Sequence, residues 1–273
     1  MKLLQPESLP EALAMLAEQP EAIPIAGGTD LLVVWPTRPA EHDRCYVDLS
    51  GVPELKGVRW TDGQLALGAL ATYWDVIRDA RATRELPLLG RAARQVGAIQ
   101  IQARGTWAGN IANASPAADG VPVLMAYDAV VVLDSAHGRE AVPLSDFYQG
   151  YKRMRRRSDQ LVVEIRIPLP RTPYRVQWFE KVGSRRAQAI AKVGLAVVRG
   201  EQGWRVVAAS MAPTVRRCPA IERRLAGSTP LRSPDDLLPA IEQDVAPIDD
   251  IRSTAHYRRR VMARVLYYGL QAT

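Results

Sequence analysis

The fold of this chain is decided by one stretch, Arg104-Gly105-Thr106-Trp107-Ala108-Gly109-Asn110-Ile111-Ala112-Asn113-Ala114-Ser115-Pro116-Ala117-Ala118-Asp119-Gly120. It is long, nearly uncharged and made of small residues, and it lies between two segments with clear hydrophobic patterns. Small residues cannot build a core, but they let the backbone approach a ligand and leave its N–H groups free to bind it. Consecutive free amides form a concavity that suits a pyrophosphate. We therefore predict a ligand-binding loop here.

Within this loop the segment Thr106 to Asn110 is expected to form an amide nest. Gly109 would permit close approach, while Thr106 and Asn110 would donate side-chain hydrogen bonds, and Asp119 could accept one from a ribose hydroxyl. The alternative is a long surface loop, or one that lines a subunit contact. Long loops with so little charge are uncommon unless they are functional, which favours the binding interpretation.

A second stretch of the same character occurs earlier, at Pro24-Ile25-Ala26-Gly27-Gly28-Thr29-Asp30-Leu31. Ile23 to Ala26 is typical of a short buried strand, and Gly27-Gly28 of the turn that leaves it. Taken alone, this motif favours a plain turn over a phosphate-binding turn with Thr29 as an added donor. Together, the two glycine-containing loops predict a grip on one extended dinucleotide. The G-x-G-x-x-G fingerprint of a Rossmann domain is missing.

Composition limits the classes of function. No apolar run approaches the roughly 18 residues that a membrane span needs, and the N-terminus lacks the features of a signal peptide. We therefore expect a cytoplasmic protein. The two cysteines, Cys45 and Cys218, and the three scattered histidines, His42, His137 and His256, predict no metal site on this chain.

The net charge of +7 raises nucleic acid as a partner. The basic residues cluster at residues 152–157, 185–186 and 258–260, and none of these clusters is interleaved with the aromatic residues of a single-strand binder. A solvated face or a contact with an acidic protein is the preferred interpretation. For the run Lys152 to Arg157 in particular, the simplest prediction is a solvated loop, and the alternative is a docking site for an acidic partner.

Local patterns predict an α+β chain. Ser8-Leu9-Pro10-Glu11 is typical of a capping box that begins a helix, and Asp62-Gly63 predicts a hairpin between two short strands. Pro168-Leu169-Pro170 ends a strand, which places a domain boundary near residue 172. The last helix is predicted from about Thr254 to Leu270, with its arginines on the polar face. Its predicted apolar face consists of Tyr257, Val261, Val265 and Tyr268.

The residues for catalysis by side chains are missing. We find no nucleophile elbow, no paired carboxylates in a motif and no histidine in either glycine loop. Any redox chemistry must therefore come from a bound cofactor. Lys181, predicted at the end of a strand, could neutralise a phosphate or hydrogen-bond an isoalloxazine carbonyl, and a plain surface charge is the equal alternative.

Four segments together carry a family resemblance. The two glycine loops, the segment Lys181-Val182-Gly183-Ser184-Arg185-Arg186-Ala187 with Ile190-Ala191-Lys192-Val193, and the segment Asp249-Asp250-Ile251-Arg252-Ser253-Thr254-Ala255-His256-Tyr257-Arg258 resemble the flavin-binding medium subunit of molybdenum hydroxylases, the xanthine dehydrogenase and carbon monoxide dehydrogenase group. The resemblance implies a FAD-binding domain of the p-cresol methylhydroxylase type over residues 1–172, with subdomains of about 1–56 and 57–172. A C-terminal domain of the CO dehydrogenase flavoprotein type, a sheet with helices, would occupy residues 173–273.

The same resemblance implies the FAD contacts. They are Ile25, Ala26, Gly27, Gly28, Thr29, Asp30, Leu31, Thr106, Trp107, Ala108, Gly109, Asn110, Asp119 and Lys181, with Val96 as a looser match. The family usually has Thr-Ile-Gly-Gly-Asn where this chain has Thr106 to Asn110. Ala108 would be strained if its φ were positive, and the bulky Trp107 is expected to pack beneath the loop.

By resemblance, the function is that of a non-covalent FAD subunit. A large molybdopterin-binding subunit would oxidise the substrate, and a small subunit with two [2Fe–2S] clusters would pass electrons to the FAD of this chain, which would deliver them to an external acceptor. Whether such trimers pair into dimers is left open. The alternatives are a self-contained FAD oxidase or reductase of the same fold, which usually needs a longer substrate domain, and more remotely a basic nucleic-acid-binding protein.

Overall fold

The computed structural model describes residues 2–34 and 44–272, so His42 lies outside the described residues. The strands are β1 Lys2–Leu4, β2 Ile23–Ile25, β3 Cys45–Asp48, β4 Val58–Thr61, β5 Gln64–Gly68, β6 Val130–Ser135, β7 Gly138–Pro143, β8 Tyr148–Gly150, β9 Arg153–Met154, β10 Leu161–Pro168, β11 Val176–Val182, β12 Val193–Gly200, β13 Gly203–Ala209 and β14 Arg216–Arg217. The helices are α1 Leu9–Glu18, α2 Tyr73–Arg78, α3 Ala80–Glu85, α4 Pro87–Ala93, α5 Ile99–Gln102, α6 Trp107–Ala112, α7 Gly120–Ala126, α8 Pro219–Ala226, α9 Leu238–Asp244 and α10 Ala255–Gln271. The predicted α+β class is confirmed.

The first sheet is parallel, in the order β1-β3-β2, and it aims the end of β2 at the first glycine loop. Helix α1 begins as predicted, with Ser8 accepting a hydrogen bond from the Glu11 amide at 3.4 Å. The capping box is not the predicted one, however. The Glu11 carboxylate accepts from the Glu7 amide at 2.8 Å, one residue before the N-cap.

The second sheet is antiparallel, in the order β4-β5-β10-β6-β7. The predicted Asp62-Gly63 hairpin joins β4 to β5, where Thr61 pairs with Gln64. The run Lys152 to Arg157 is not simply a solvated loop, because it contains β9, which pairs with β8, and several of its side chains have local partners. Arg155 pairs with Glu140 at 3.0 Å, and Arg156 donates to the Gln160 carbonyl at 2.6 Å.

The third sheet, β11-β12-β13-β14, is covered by α8, α9 and α10. For α10 the predicted apolar face is only half right, because Val261 and Val265 are partly buried against the core beneath the helix and the two tyrosines are not. Its buried residues are Arg258, Met262, Ala263 and Leu266, whereas Tyr257 and Tyr268 are exposed. Arg258 can lie on the inward face because its guanidinium pairs, at 2.8 Å, with the more exposed Asp250 in the turn before the helix.

One of the two hydrophobic cores among the described residues takes residues from both sides of position 172. One core joins the first two sheets and includes Phe179, Val198 and Val207 from the third sheet, while a second core lies between that sheet and its helices. The boundary near residue 172 stays a prediction. None of the helices in the described part of the chain has the length and apolarity needed to cross a membrane.

Candidate functional site

The first glycine loop touches the second segment directly, through backbone. A Cβ built on Gly27 would lie 1.9 Å from the Arg104 carbonyl oxygen and 3.1 Å from the Gly105 Cα. No side chain fits in that space, so the sequence needs glycine here. Gly28 follows with φ +70°, a left-handed conformation that favours glycine for a different reason.

The turn that follows Gly27 exposes consecutive backbone donors. Among the described residues we find no acceptor for the amides of Gly28, Thr29 and Asp30, although the Gly28 carbonyl accepts from the Leu32 amide at 2.9 Å. The chain then enters a 3₁₀ turn at Leu31–Val34. Three successive N–H groups that have no acceptor among the described residues, beginning at the left-handed Gly28, can form an anion-binding concavity. The motif that favoured a plain turn when taken alone thus has the geometry of a ligand loop.

The second segment departs from the predicted open loop. Residues Trp107–Ala112 form the short helix α6, and Thr106 is its N-cap. Thr106 Oγ1 accepts from the Gly109 amide at 2.9 Å, so the hydroxyl is occupied and this amide is not free for a ligand. The predicted amide nest at Thr106 to Asn110 is therefore wrong: the segment begins a helix, and the Thr106 hydroxyl, not a ligand, accepts from the Gly109 amide at its first turn.

The two departures from the family pattern have structural explanations. Ala108 lies inside α6 and is not among the residues with positive φ, so the strain considered for its Cβ does not arise. Trp107 is fully buried beneath the segment, as expected, and its ring centroid lies 4.9 Å from that of Tyr73. Its indole N–H has no hydrogen-bond partner in the structure.

A chain of close contacts joins these segments. Gly105 lies between loop and core, since a Cβ there would come within 3.2 Å of the Tyr73 ring and 3.3 Å of Thr29 Oγ1. Gly120 packs against the Trp107 ring and the amide oxygen of Asn110 in the same manner. That Asn110 oxygen is buried and accepts no hydrogen bond in the structure.

Asp119, directly before α7, and Lys181 of β11 form a buried ion pair that joins the second segment to the third sheet. Lys181 Nζ lies 2.6 Å from Asp119 Oδ2 and also donates to the Gln95 carbonyl at 3.0 Å. The lysine side chain is only 7% exposed, so it is not the surface charge that was the alternative prediction. Burial raises the pKa of Asp119 to about 6, against the opposing attraction of Lys181.

A polar bridge that the sequence prediction missed links the first loop to the second. Asn113 donates to Asp30 Oδ1 at 2.9 Å and accepts from Lys152 Nζ at 2.6 Å. The signal was present, because Asn113 is a polar residue inside a run of alanines, but nothing in the sequence pointed to its distant partners. Gly105 and Gln95 were also absent from the predicted site and lie within it.

The structure gathers most of the predicted residues around one region. Ile25 ends β2, Ala26 to Asp30 form the turn, and Leu31 begins the 3₁₀ turn. Val96, half-buried, follows Gln95, and its carbonyl accepts from Gln102 at 3.1 Å. An open cleft of about 790 Å³ runs beside Ala26, Gly27, Arg104 and Thr106, and neither Asp119 nor Lys181 lines it.

Comparison with known families decides the classification. Residues 1–170 match the family model described as the FAD binding domain in molybdopterin dehydrogenase, and residues 178–273 match the CO dehydrogenase flavoprotein C-terminal domain. The chain belongs to the FAD-binding family of the molybdopterin dehydrogenases.

Similar proteins cover nearly the whole chain. It is 29% identical to the carbon monoxide dehydrogenase medium chain of Hydrogenophaga pseudoflava, over 98% of this chain and 94% of the relative. It is 30% identical to the putative xanthine dehydrogenase FAD-binding subunit of Escherichia coli K12, over 92% of this chain and 88% of the relative. The reconstituted CO dehydrogenase from Oligotropha carboxidovorans has a similar chain, with a TM-score of 0.87, 26% identity and coverage of 98% and 94%.

This member of the FAD-binding family is therefore a flavoprotein subunit of an oxidoreductase, with FAD as its cofactor. The predicted fold, a FAD-binding domain with a C-terminal domain, is confirmed. The residues present fit a dinucleotide. The amides of Gly28 to Asp30 offer donors to a pyrophosphate, and Gly27 removes the side chain that would hold the two segments apart.

Proposed function

We propose that this chain is the non-covalent FAD subunit of a three-component molybdenum hydroxylase. The observation that carries the proposal is the run of three amides, of Gly28, Thr29 and Asp30, that have no acceptor among the described residues, next to the backbone contact of Gly27 with Arg104. When bound, FAD supplies the redox chemistry, accepting electrons from [2Fe–2S] clusters of a partner and releasing them to an external acceptor. The residues of this chain would bind the FAD, orient it and shield it from water.

Each part of the site has a role in this proposal. The amides of the first loop hold the pyrophosphate, and the Thr29 hydroxyl is an added donor beside Gly105. The buried Asn110 oxygen, which has no partner among the described residues, would accept a hydrogen bond from a donor on the cofactor. Lys181 lies 2.6 Å from Asp119, where the FAD-binding part of the chain (residues 1–170) meets the C-terminal part (residues 178–273). This contact between the two parts is called the seam below.

We propose as FAD contacts the residues named by resemblance, which the fold gathers around these loops. They are Ile25 to Leu31, Val96, Thr106 to Asn110, Asp119 and Lys181. Support for Thr106 and Ala108 is now indirect, because Thr106 caps α6 and Ala108 is buried within it. A division of the chain into domains near residue 172 belongs to the same proposal.

The partners we propose are a large molybdopterin-binding subunit and a small subunit with [2Fe–2S] clusters. The relatives support this, since two of them are named as the medium chain and the FAD-binding subunit of dehydrogenases. A cytoplasmic location is proposed as well. Both cysteines are free thiols, as is usual in a reducing compartment.

The test is the visible absorption spectrum of the purified chain before and after acid precipitation. Flavin bands that move into the supernatant as FAD are the expected result. Flavin retained in the pellet would indicate a covalent link and favour a self-contained oxidase of the same fold. A colourless chain that takes up no added FAD, alone or with its co-expressed partner subunits, would overturn the proposal.

A further inference from the structure

Arg258 of helix α10 is buried and connects three segments of the chain. Its side chain is only 3% exposed, and it pairs with Asp250 at 2.8 Å. One terminal nitrogen donates to two carbonyl oxygens, that of Lys192 at 2.7 Å and that of Ser210 at 3.0 Å. A guanidinium offers several donors in a fixed planar arrangement, so it can fix the relative positions of these groups.

Ser210 carries one of these connections into the FAD-binding part. Its φ is +62°, a left-handed conformation that costs energy for a residue with a side chain. Three hydrogen bonds hold it there. Its carbonyl accepts from Arg258, its hydroxyl donates to the Ala191 carbonyl at 2.8 Å, and its amide donates to the Pro116 carbonyl at 2.7 Å. Pro116 lies in the turn that the Ala118 amide closes on the Ser115 carbonyl at 3.2 Å, directly before Asp119.

Lys192 carries the other connection. Its carbonyl accepts from Arg258, and its amide donates to the Val182 carbonyl at 2.7 Å. Val182 is the neighbour of Lys181 on β11. The two routes that leave Arg258 therefore end close to the buried ion pair along the chain, one at Pro116, three residues before Asp119, and the other at Val182, next to Lys181.

We propose that Arg258 is a positioning residue for FAD binding, which acts by holding the segments of Asp119 and Lys181 in register across the seam. The inference rests on the proposed function, because it requires that the ion pair faces the cofactor. Arg258 lies in the last helix and touches neither partner of the pair. Its effect on the cofactor is transmitted through Ser210 and Lys192.

A control for Arg258 exists on β13, in the sheet that α10 covers. Arg205 is also buried and also crosses the seam, where it pairs with Asp128 and donates to Gln202 at 2.5 Å. Among the described residues, it donates no hydrogen bond to the segments around residues 116–119 or 181–182. Arg258→Met and Arg205→Met thus remove the same chemical group from similar surroundings, and only the first touches the proposed route.

The experiment measures the Kd of FAD for the full chain and both variants, at a temperature where each is folded. We expect Arg258→Met to raise the Kd about tenfold and Arg205→Met to leave it within about twofold. Arg258→Lys, which keeps the charge but loses the fixed arrangement of donors, is expected to restore part of the affinity. If Arg258→Met does not fold, Asp250→Asn removes the partner charge and is expected to weaken binding in the same direction.

A double-mutant cycle separates positioning from general destabilisation. When Lys181→Met has already removed the ion pair, Arg258→Met is expected to add little to the loss of FAD affinity. Full additivity, or equal effects of Arg258→Met and Arg205→Met, would overturn the inference while leaving the proposed function intact. A wild-type chain that binds no FAD would instead overturn the proposed function, and this inference with it.

Discussion

Gly27 shows how one missing atom shapes the site. The residue has no unusual φ, so its conformation alone does not require glycine. The requirement comes from the Arg104 carbonyl oxygen, which occupies the space that a Cβ would need. A side chain at position 27 would push the two glycine-containing segments apart, and with them the donors of the first loop.

We predict that Gly27→Ala lowers the free energy of unfolding by about 1–3 kcal/mol, the usual cost of overpacking, and weakens FAD binding. Thermal unfolding and a FAD titration measure the two effects. The matched control is Gly63→Ala in the β4–β5 turn, where a Cβ would have nothing within 4 Å. Wild-type FAD affinity in Gly27→Ala would show that the contact of the two segments is not needed for binding.

Asp119 shows the cost of placing a charge at the seam. Burial raises its pKa to about 6, although Lys181 lies 2.6 Å away and favours the ionised form. The folded state therefore binds a proton more tightly than the unfolded chain does. The stability that this proton provides is complete below the ordinary pKa of 3.8 and is lost as the pH rises through about 6.

We predict that wild-type protein without FAD loses stability relative to Asp119→Asn as the pH rises from about 4 to about 6, by up to about 3 kcal/mol. Above that window the difference is expected to be constant. Denaturant unfolding of both proteins at several pH values measures it. A difference that does not change between pH 4 and 6 would show that the carboxyl titrates normally in the folded state.

At the scale of elements, the sequence predicted those turns and helix ends that depend only on neighbouring residues. The Asp62-Gly63 turn, the start of α1 at Ser8 and the extent of α10 all follow from neighbouring residues, and the structure has them. The buried face of α10 could not be predicted in this way. Hydrophobic periodicity placed Tyr257 and Tyr268 inward, but Arg258 is buried because its partner Asp250 precedes the helix in a tight turn.

The small-residue segment is the second case. Its composition suggested an open loop, because Gly and Asn disfavour helices. Tertiary contacts override that tendency, since Trp107 packs on Tyr73 and the Trp107 amide donates to the Ala71 carbonyl at 3.2 Å. The sequence predicted that the two glycine loops would act together, but it did not predict that they would have different roles. The first loop has the free amides, and the second supports it.

We predict that Thr106→Ala removes the N-cap of α6 and destabilises the protein by about 1 kcal/mol. FAD affinity is expected to fall as well, because α6 lies directly behind the first loop. Ser8→Ala is the matched control, since it removes the N-cap of α1, whose side-chain hydrogen bonds in the described chain involve neither glycine loop. Equal FAD affinities for the two variants would show that α6 contributes stability alone.

At the scale of the whole molecule, the two parts of the chain are joined more closely than a linker would join them. Phe179, Val198 and Val207 of the third sheet belong to the core of the first two sheets. Tyr127 donates to Gln177 at 2.6 Å across the same seam and accepts from the Leu88 amide at 3.2 Å. Neither part can expose its share of this core without cost.

We therefore predict a single cooperative unfolding transition in calorimetry, for the chain with and without FAD. Saturating FAD is expected to raise the midpoint temperature of this single transition, because a ligand that binds only the folded state stabilises it by mass action. Two separate transitions, of which FAD shifts only one, would show that the parts unfold independently despite the shared core.

The seam also has a consequence for the order of events during synthesis. Lys181 is made 62 residues after Asp119, its partner, and Arg258 lies in the last helix of the chain. While the ribosome is still making the third sheet, the flavin loops already exist, but the lysine, Ser210 and the rest of the shared core do not. If Asp119 and Lys181 belong to the FAD site, as proposed, that site is complete only when nearly the entire chain has emerged, and we expect FAD to bind after translation.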